Sequence, residues 1–465
     1  MPLPFYLTCV AIAGLLVMAW RGRQAGWGLP AGMVLATVSV WYVGDVLYNE
    51  FDDYLATIGV DSLTSAWWQV LWFVICFGLL LIPIHRMVNR RLMGHRSHIM
   101  NYMESDRLRD AEVQHRITQM GRTLLLAWLV LMGIGLYKVD WNFVGLFAPY
   151  LSYKVDPWGR GQIGGGFSAL LSLAAYLQIF LAAAFGVLLA ITYHPGTRRM
   201  AFVICFVTLP YFIFDRTRNT MLATVLPGVL AYVFLRLQGS LLKKGAVLVG
   251  FFLVVNFWFT VVMANRSGMR FDIAGALSSN QEAMESTKHE GLNMFEELAW
   301  IDNFIVTNAY MPNNGERYLA ELVNPIPRGL WPGKPMIGLD YAVARGQSAS
   351  GELGETTATI STGMIGQGVV NFGRIFGPAA AALLMSLWVA VLARQDLLGD
   401  NPARLILYAC GLILTFNLGR DITLLVLYPF VFGWMGVWWM ERKDRLMAAA
   451  EAKKVKLGPT GFGRE

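Results

Sequence analysis

The chain has 465 residues, 55% of them hydrophobic and only 15% charged, with a mean hydropathy of +0.47. Soluble domains carry about 25% charged residues, so this composition excludes an ordinary soluble enzyme and specifies a polytopic membrane protein. The net charge of +7 is then a topology signal and argues little for nucleic acid.

Apolar runs of roughly 17–25 residues mark spanning helices. In chain order they fall near Leu3–Trp20, Gly28–Leu47, Ala66–Ile84, Thr123–Val139, Phe167–Tyr193, Met200–Phe214, Met221–Leu237 and Ala246–Ala264. After a long polar interval come Ile375–Leu392, Leu405–Phe416 and Thr423–Met440, which makes about eleven transmembrane helices in an all-α protein. Met1-Pro2-Leu3-Pro4 lacks a basic n-region and a cleavage site, so the first run reads as a retained span and not a signal peptide. Cys9, Cys76, Cys205 and Cys410 all lie inside apolar runs without paired spacing and imply neither zinc nor disulfides. No internal repeat stands out.

Lys and Arg collect in every second connection. These are Arg21/Arg23, the stretch from Arg86 to Arg122, Arg198/Arg199, Lys243/Lys244, Arg394/Arg404 and the tail from Arg442 to Lys456. The positive-inside rule places all of them in the cytoplasm, with the N-terminus outside and the C-terminus inside. Residues 1–264 thus hold eight spans and a basic loop at 85–122, 265–374 form a large outer loop subdomain, 375–440 hold three spans, and 441–465 are a basic tail. The basic loop either binds anionic lipid or only enforces topology.

The outer loop exceeds what a linker needs, which points to a functional element. Leu292–Tyr310 has apolar residues at helical spacing, and Glu316–Val323 reads as a second short helix. Such helices either lie on the membrane surface, anchored by Trp300 and Trp331, or pack against one another. Asn324 to Pro335 contains four prolines together with Arg328 and Lys334, a stiffened extended loop that presents two cations. Thr356–Phe372, rich in Gly and Thr, is either a broken or re-entrant helix or an interfacial segment.

The anomaly is a set of cations on the side where the topology rule disfavours them. Arg216 and Arg218 lie in the brief Asp215–Thr220 connection, and Arg420 in Asn417–Asp421. Arg328, Lys334 and Arg374 follow from the loop, and Arg266, Arg270, Arg317 and Arg345 complete the group. Single interfacial arginines commonly snorkel into water. Several of them from separate elements suit a lipid carrying phosphate or diphosphate, whose oxygens a guanidinium matches bidentately.

Three places resemble the Wzy-type O-antigen and oligosaccharide repeat-unit polymerases. Pro327-Arg328-Gly329-Leu330-Trp331-Pro332-Gly333-Lys334-Pro335 is similar to that family's loop signature. Asn371-Phe372-Gly373 is similar to its N-F-G element, and Phe212 to Arg218, with Arg420-Asp421 later, to its arginine-opened helices. Many relatives carry an acid shortly before N-F-G; this chain has Gln367, so no general base carries over there. The resemblance implies a GT-C-like membrane glycosyltransferase with its large loop in the periplasm of a bacterial inner membrane. Its substrate would be undecaprenyl-diphosphate-linked oligosaccharide, a chain-length regulator protein is a possible partner, and no cofactor is implied.

On that reading Arg218 and Arg420 grip the lipid diphosphate, Arg216 assists, and Arg328 and Lys334 close over it. His289, Glu297, Asp302, Asp340 and Glu355 are the candidate bases on the outer side, and the sequence does not choose among them. A rival constellation, Glu50-Phe51-Asp52-Asp53, is either a divalent-metal site or the ordinary acidity of an outer loop. Two other functions share the donor chemistry: a flippase or transporter of lipid-linked oligosaccharide, and an O-antigen ligase. Transport normally needs polar groups through the membrane middle, whereas Asp45, the main ionisable residue inside a predicted span, lies near its outer end.

Overall fold

The computed structural model describes residues 1–49, 51–148, 158, 166–214, 218–264, 293–324, 326, 329–335, 339–346 and 360–456, and among them there is helix and turn but no strand. Eleven long helices follow the eleven apolar runs. They are α1 (Leu3–Arg21), α2 (Gly28–Tyr48), α4 (Val60–Val88), α6 (Ala111–Lys138), α8 (Gly166–Ile191), α9 (Pro195–Ile213), α10 (Arg218–Ala231), α11 (Leu241–Ala264), α15 (Gly363–Leu397), α16 (Pro402–Leu418) and α17 (Leu424–Lys456). Short helices lie between them: α3 (Phe51–Ile58), α5 (His98–Glu104), α7 (Phe143–Phe147), α12 (Met294–Val306), α13 (Glu316–Val323) and α14 (Leu339–Ala344).

Among the described residues, nine helices are long and apolar enough to cross a membrane, against the eleven expected. The shortfall has a physical reason at α16. Its 17 residues rise about 26 Å, less than the roughly 30 Å of a hydrocarbon core. α17 runs from an apolar first half into a basic second half and is not among the nine.

The helices α12, α13 and α14 form a cap over one end of the bundle, called here the capped end. α12 takes neither of the two placements the sequence suggested. It packs into the bundle against α4 and α15, burying Met294, Phe295, Leu298 and Ile301. Phe295 stacks on Trp67 with ring centroids 4.4 Å apart. The Asp45 carboxylate takes the free donors at the start of α12, accepting from the backbone N–H of Phe295 at 2.7 Å and of Glu296 at 3.3 Å. Asp45 also accepts from Asn49 and the Tyr54 hydroxyl, so the one acid of the second span is a structural clasp.

α15 is the broken helix the Gly-rich stretch suggested. Gly373 has φ 75° and ψ −177°, backbone open in practice to glycine alone, and it divides a short arm from a long spanning arm. The two arms fold back so closely that a methyl group on Gly368 would sit 2.2 Å from the Gly377 carbonyl oxygen. The long arm then packs along α4, and α15 with α4 is the most extensive helix pairing among the described residues.

Candidate anion site at the capped end

A cavity of about 530 Å³ opens between α8, α10, α13, the 360–361 turn and the α16–α17 connection. Its walls are of two kinds. Tyr176, Ile179, Ala223, Leu414, Val426 and Pro429 make an apolar part, and Asn219, Thr220, Arg317, Glu321, Ser361, Asn417, Arg420 and Asp421 supply polar groups.

Arg317 is the anomaly. It lies on the inward face of α13 with Ala320 and Glu321, and its side chain is 3% exposed. Its Nη2 donates to the Ile360 carbonyl at 3.4 Å and faces Asp421 Oδ1 at 3.7 Å. Nε and Nη1 are buried without a hydrogen-bond partner among the described residues. A buried cation with idle donors costs several kcal/mol unless something supplies acceptors and charge. The long contact to Asp421 leaves most of that demand open.

The neighbours of Arg317 are held in place by the short arm of α15. The Asp421 carboxylate accepts from Thr362 N–H at 3.2 Å and Thr362 Oγ1 at 3.3 Å, at the positive end of that arm. Burial raises its pKa above the usual aspartate value, and Arg317 opposes the rise. Arg420 is exposed and steadied by donation from Nε to Ser361 Oγ at 2.8 Å. Met364 N–H donates to the Gly419 carbonyl, which ties the arm to the same turn, and Ile365 N–H donates to the Tyr42 hydroxyl of α2.

Gln367, where relatives of the resembled family carry an acid, is a brace here. Its Oε1 accepts from Ile422 N–H at 2.7 Å, and its Nε2 donates to the Ile422 carbonyl at 3.2 Å. Asn371 of the N-F-G element donates to the Gln367 carbonyl and accepts from Tyr318 N–H, one residue beyond Arg317. The N-F-G element therefore sets the geometry of Arg317 without touching the cavity.

Of the predicted diphosphate ligands, Arg420 lines the cavity. Arg218 opens α10, whose next two residues, Asn219 and Thr220, line it as well. Arg216 and Arg328 lie outside the described residues. Lys334 goes elsewhere. It is buried, and its Nζ donates to the Asn324 carbonyl at 2.9 Å and the Ile326 carbonyl at 2.8 Å, stapling the proline loop to itself. Both of these hydrogen bonds cap backbone acceptors that proline-rich chain cannot pair internally.

The proposed bases separate in the same way. Glu297 accepts from the Tyr341 hydroxyl at 2.5 Å and pairs with Arg345 at 3.3 Å. Asp302 pairs with Arg374 Nε at 2.7 Å and accepts from Ser65 and Gln69. Asp340 accepts from the Tyr310 hydroxyl and from Asn313. None of the three lines the cavity. His289, Glu355 and Glu50 lie outside the described residues, as do the side chains of Asp52 and Asp53. Among the described residues no cluster of His, Cys, Asp or Glu is arranged to hold a metal.

Sequence reasoning counted Arg317 among the outer cations but gave neither it nor Asp421 a role. A signal was present: an arginine on the face of α13 whose spacing puts Ala320 and Glu321 inside. No family model, curated protein or solved structure matches the chain.

Proposed function

We propose that this chain is a GT-C-type membrane glycosyltransferase of the bacterial inner membrane. It would polymerise polyprenyl-diphosphate-linked oligosaccharide units, with the capped end facing the periplasm. The observation that carries this reading is the buried Arg317, whose Nε and Nη1 lack acceptors among the described residues, at a cavity shared with Arg420. A diphosphate supplies the missing acceptors and charge, and the apolar wall suits the first isoprene units of its lipid. The likeness of the 327–335 segment and of Asn371-Phe372-Gly373 to the Wzy-type polymerases supports the same chemistry.

In the reaction the acceptor hydroxyl oxygen bonds to the anomeric carbon, and the bond from that carbon to the diphosphate oxygen breaks. Diphosphate leaves without protonation when fixed cations take its developing charge. Arg317 and Arg420 fill that role, with Arg218 the nearest further candidate by chain position. Asp421 receives the hydroxyl proton; burial makes it a stronger base than a surface aspartate.

The test is the surface polysaccharide of a deletion strain, resolved on a gel and complemented with wild type or Arg420→Ala. A polymerase deletion leaves single-repeat lipopolysaccharide, and the variant fails to restore the ladder. Bare core would identify a ligase, units trapped inside would identify a flippase, and either result overturns the proposal.

A further inference from the structure

A second cavity, of about 890 Å³, lies at the opposite, basic end, between α9, α10 and α11. Its size is within the range of about 300–1,000 Å³ found for small-molecule sites. Its floor is the crossing of α8 and α10, where a methyl group on Gly228 would lie 2.8 Å from the Gly186 carbonyl carbon. Backbone meets backbone there.

α11 forms the outer wall yet contributes only Val247 to the lining. Little of this helix is covered, since 6% of its most apolar stretch is buried. It is clamped at both ends. Trp258 Nε1 donates to the Ile213 carbonyl at 2.8 Å, and Lys244 Nζ reaches the Phe234 carbonyl at 3.4 Å. Between those clamps a slot remains, walled by apolar residues such as Phe202, Val203, Leu209, Val225 and Val229.

The mouth of the slot is cationic. Arg198, Arg199 and Arg236 line it. Arg236 caps the end of α8 by donating to the Ala190 and Thr192 carbonyls, and its guanidinium stacks 4.7 Å from the Tyr193 ring centroid. Arg109 approaches the same ring at 5.5 Å. Arg198 and Arg199 are exposed, and their side chains make no hydrogen bond or ion pair with a described residue.

We infer that this slot binds an anionic glycerophospholipid, its acyl chain between α10 and α11 and its phosphate on Arg198 and Arg199. Charge complementarity selects the occupant. A zwitterionic lipid would carry a second cation into a mouth that already holds three arginines, and a free phosphate would leave the apolar slot unfilled. The site does not depend on the glycosyltransferase reading, because it shares no lining residue with the capped-end cavity.

The experiment uses the full chain, delipidated in detergent, with native mass spectrometry to count retained lipid. Phosphatidylglycerol and phosphatidylcholine of identical acyl chains are offered in turn, with glycerol phosphate as a chainless competitor. Wild type retains phosphatidylglycerol preferentially, and glycerol phosphate does not displace it. The double variant Arg198→Ala/Arg199→Ala, altered only at exposed positions, loses roughly 30-fold in phosphatidylglycerol retention and keeps its weak hold on phosphatidylcholine. Val247→Trp, which fills the slot from an exposed position, lowers retention of both lipids. Equal retention of the two lipids by wild type, unchanged retention in both variants, or displacement by glycerol phosphate would each overturn the inference.

Discussion

Two of the arginine–carboxylate clusters at the cap, those of Arg345 and Arg317, differ in how completely they are satisfied. Arg345 reaches Glu297 at 3.3 Å and Glu296 at 3.5 Å, lies 4.6 Å from the Trp300 ring centroid, and shares Glu297 with the Tyr341 hydroxyl. Among the described residues, Arg317 faces one carboxylate at 3.7 Å and keeps two buried nitrogens without acceptors. The first cluster closes on itself and joins α12 to α14. The second is closed by nothing the described chain supplies, and it borders a cavity. Burial of a charge is therefore not the mark of a binding site here; an unmet demand for acceptors is.

The largest expected effect breaks the open cluster. Arg317→Ala should lower polymer formation on the order of 10²–10³-fold, comparable to loss of one preorganised oxyanion donor. Arg317→Lys should recover little, because an ammonium cannot present two parallel donors to a phosphate. Polymer length from membranes containing equal amounts of folded protein is the measurement. Near-normal activity in Arg317→Lys would show that a point charge suffices and that the idle donors carry no function.

The closed cluster should respond in stability. Arg345→Ala leaves Glu297 buried with its ion-pair partner gone. The expected loss is about 2 kcal/mol, below the usual cost for a fully buried pair because Arg345 retains 20% side-chain exposure. A lowered thermal midpoint with unchanged activity per folded molecule is the predicted result. A selective loss of activity at unchanged midpoint would move Arg345 into the binding site and dissolve the contrast.

How much of this was readable beforehand depends on the kind of residue. The long helices were legible because bilayer thickness demands long apolar runs; each run carries a helix, and nine helices among the described residues are long and apolar enough to cross a membrane. The break at Gly373 was foreshadowed by glycine density. The placement of α12 was not, since the residues that bury it, Trp67 on α4 and Asp45 on α2, are hundreds of positions away and look like ordinary span residues. Lys334 shows the limit of charge counting. A cation on a proline-rich loop looks available, yet proline leaves neighbouring carbonyls unpaired and the lysine answers them. Arg317 and Asp421, 104 positions apart in the chain, meet only because the short arm of α15 doubles back between them.

The smallest effect sharpens the comparison by pH. Asp421 has its pKa raised in the folded protein by burial, with Arg317 working in the opposite direction. Near and above the ordinary value of 3.8 the unfolded chain releases its proton before the folded one. In that window the native state holds more protons, so stability falls as pH rises, until the folded group has also ionised. Other buried carboxylates, Asp302 among them, titrate in the same sense, so wild type alone does not isolate the group. Asp421→Asn should therefore show a shallower decline of thermal midpoint with rising pH than wild type, the two curves differing only within the window. Added diphosphate should enlarge the difference by competing for Arg317, because anion binding removes the partner that favours ionised Asp421 and extends the window upward. Parallel curves with and without the substitution would mean that Arg317 fully offsets burial. The cluster would then be closed by its own carboxylate, with no charge left for a ligand.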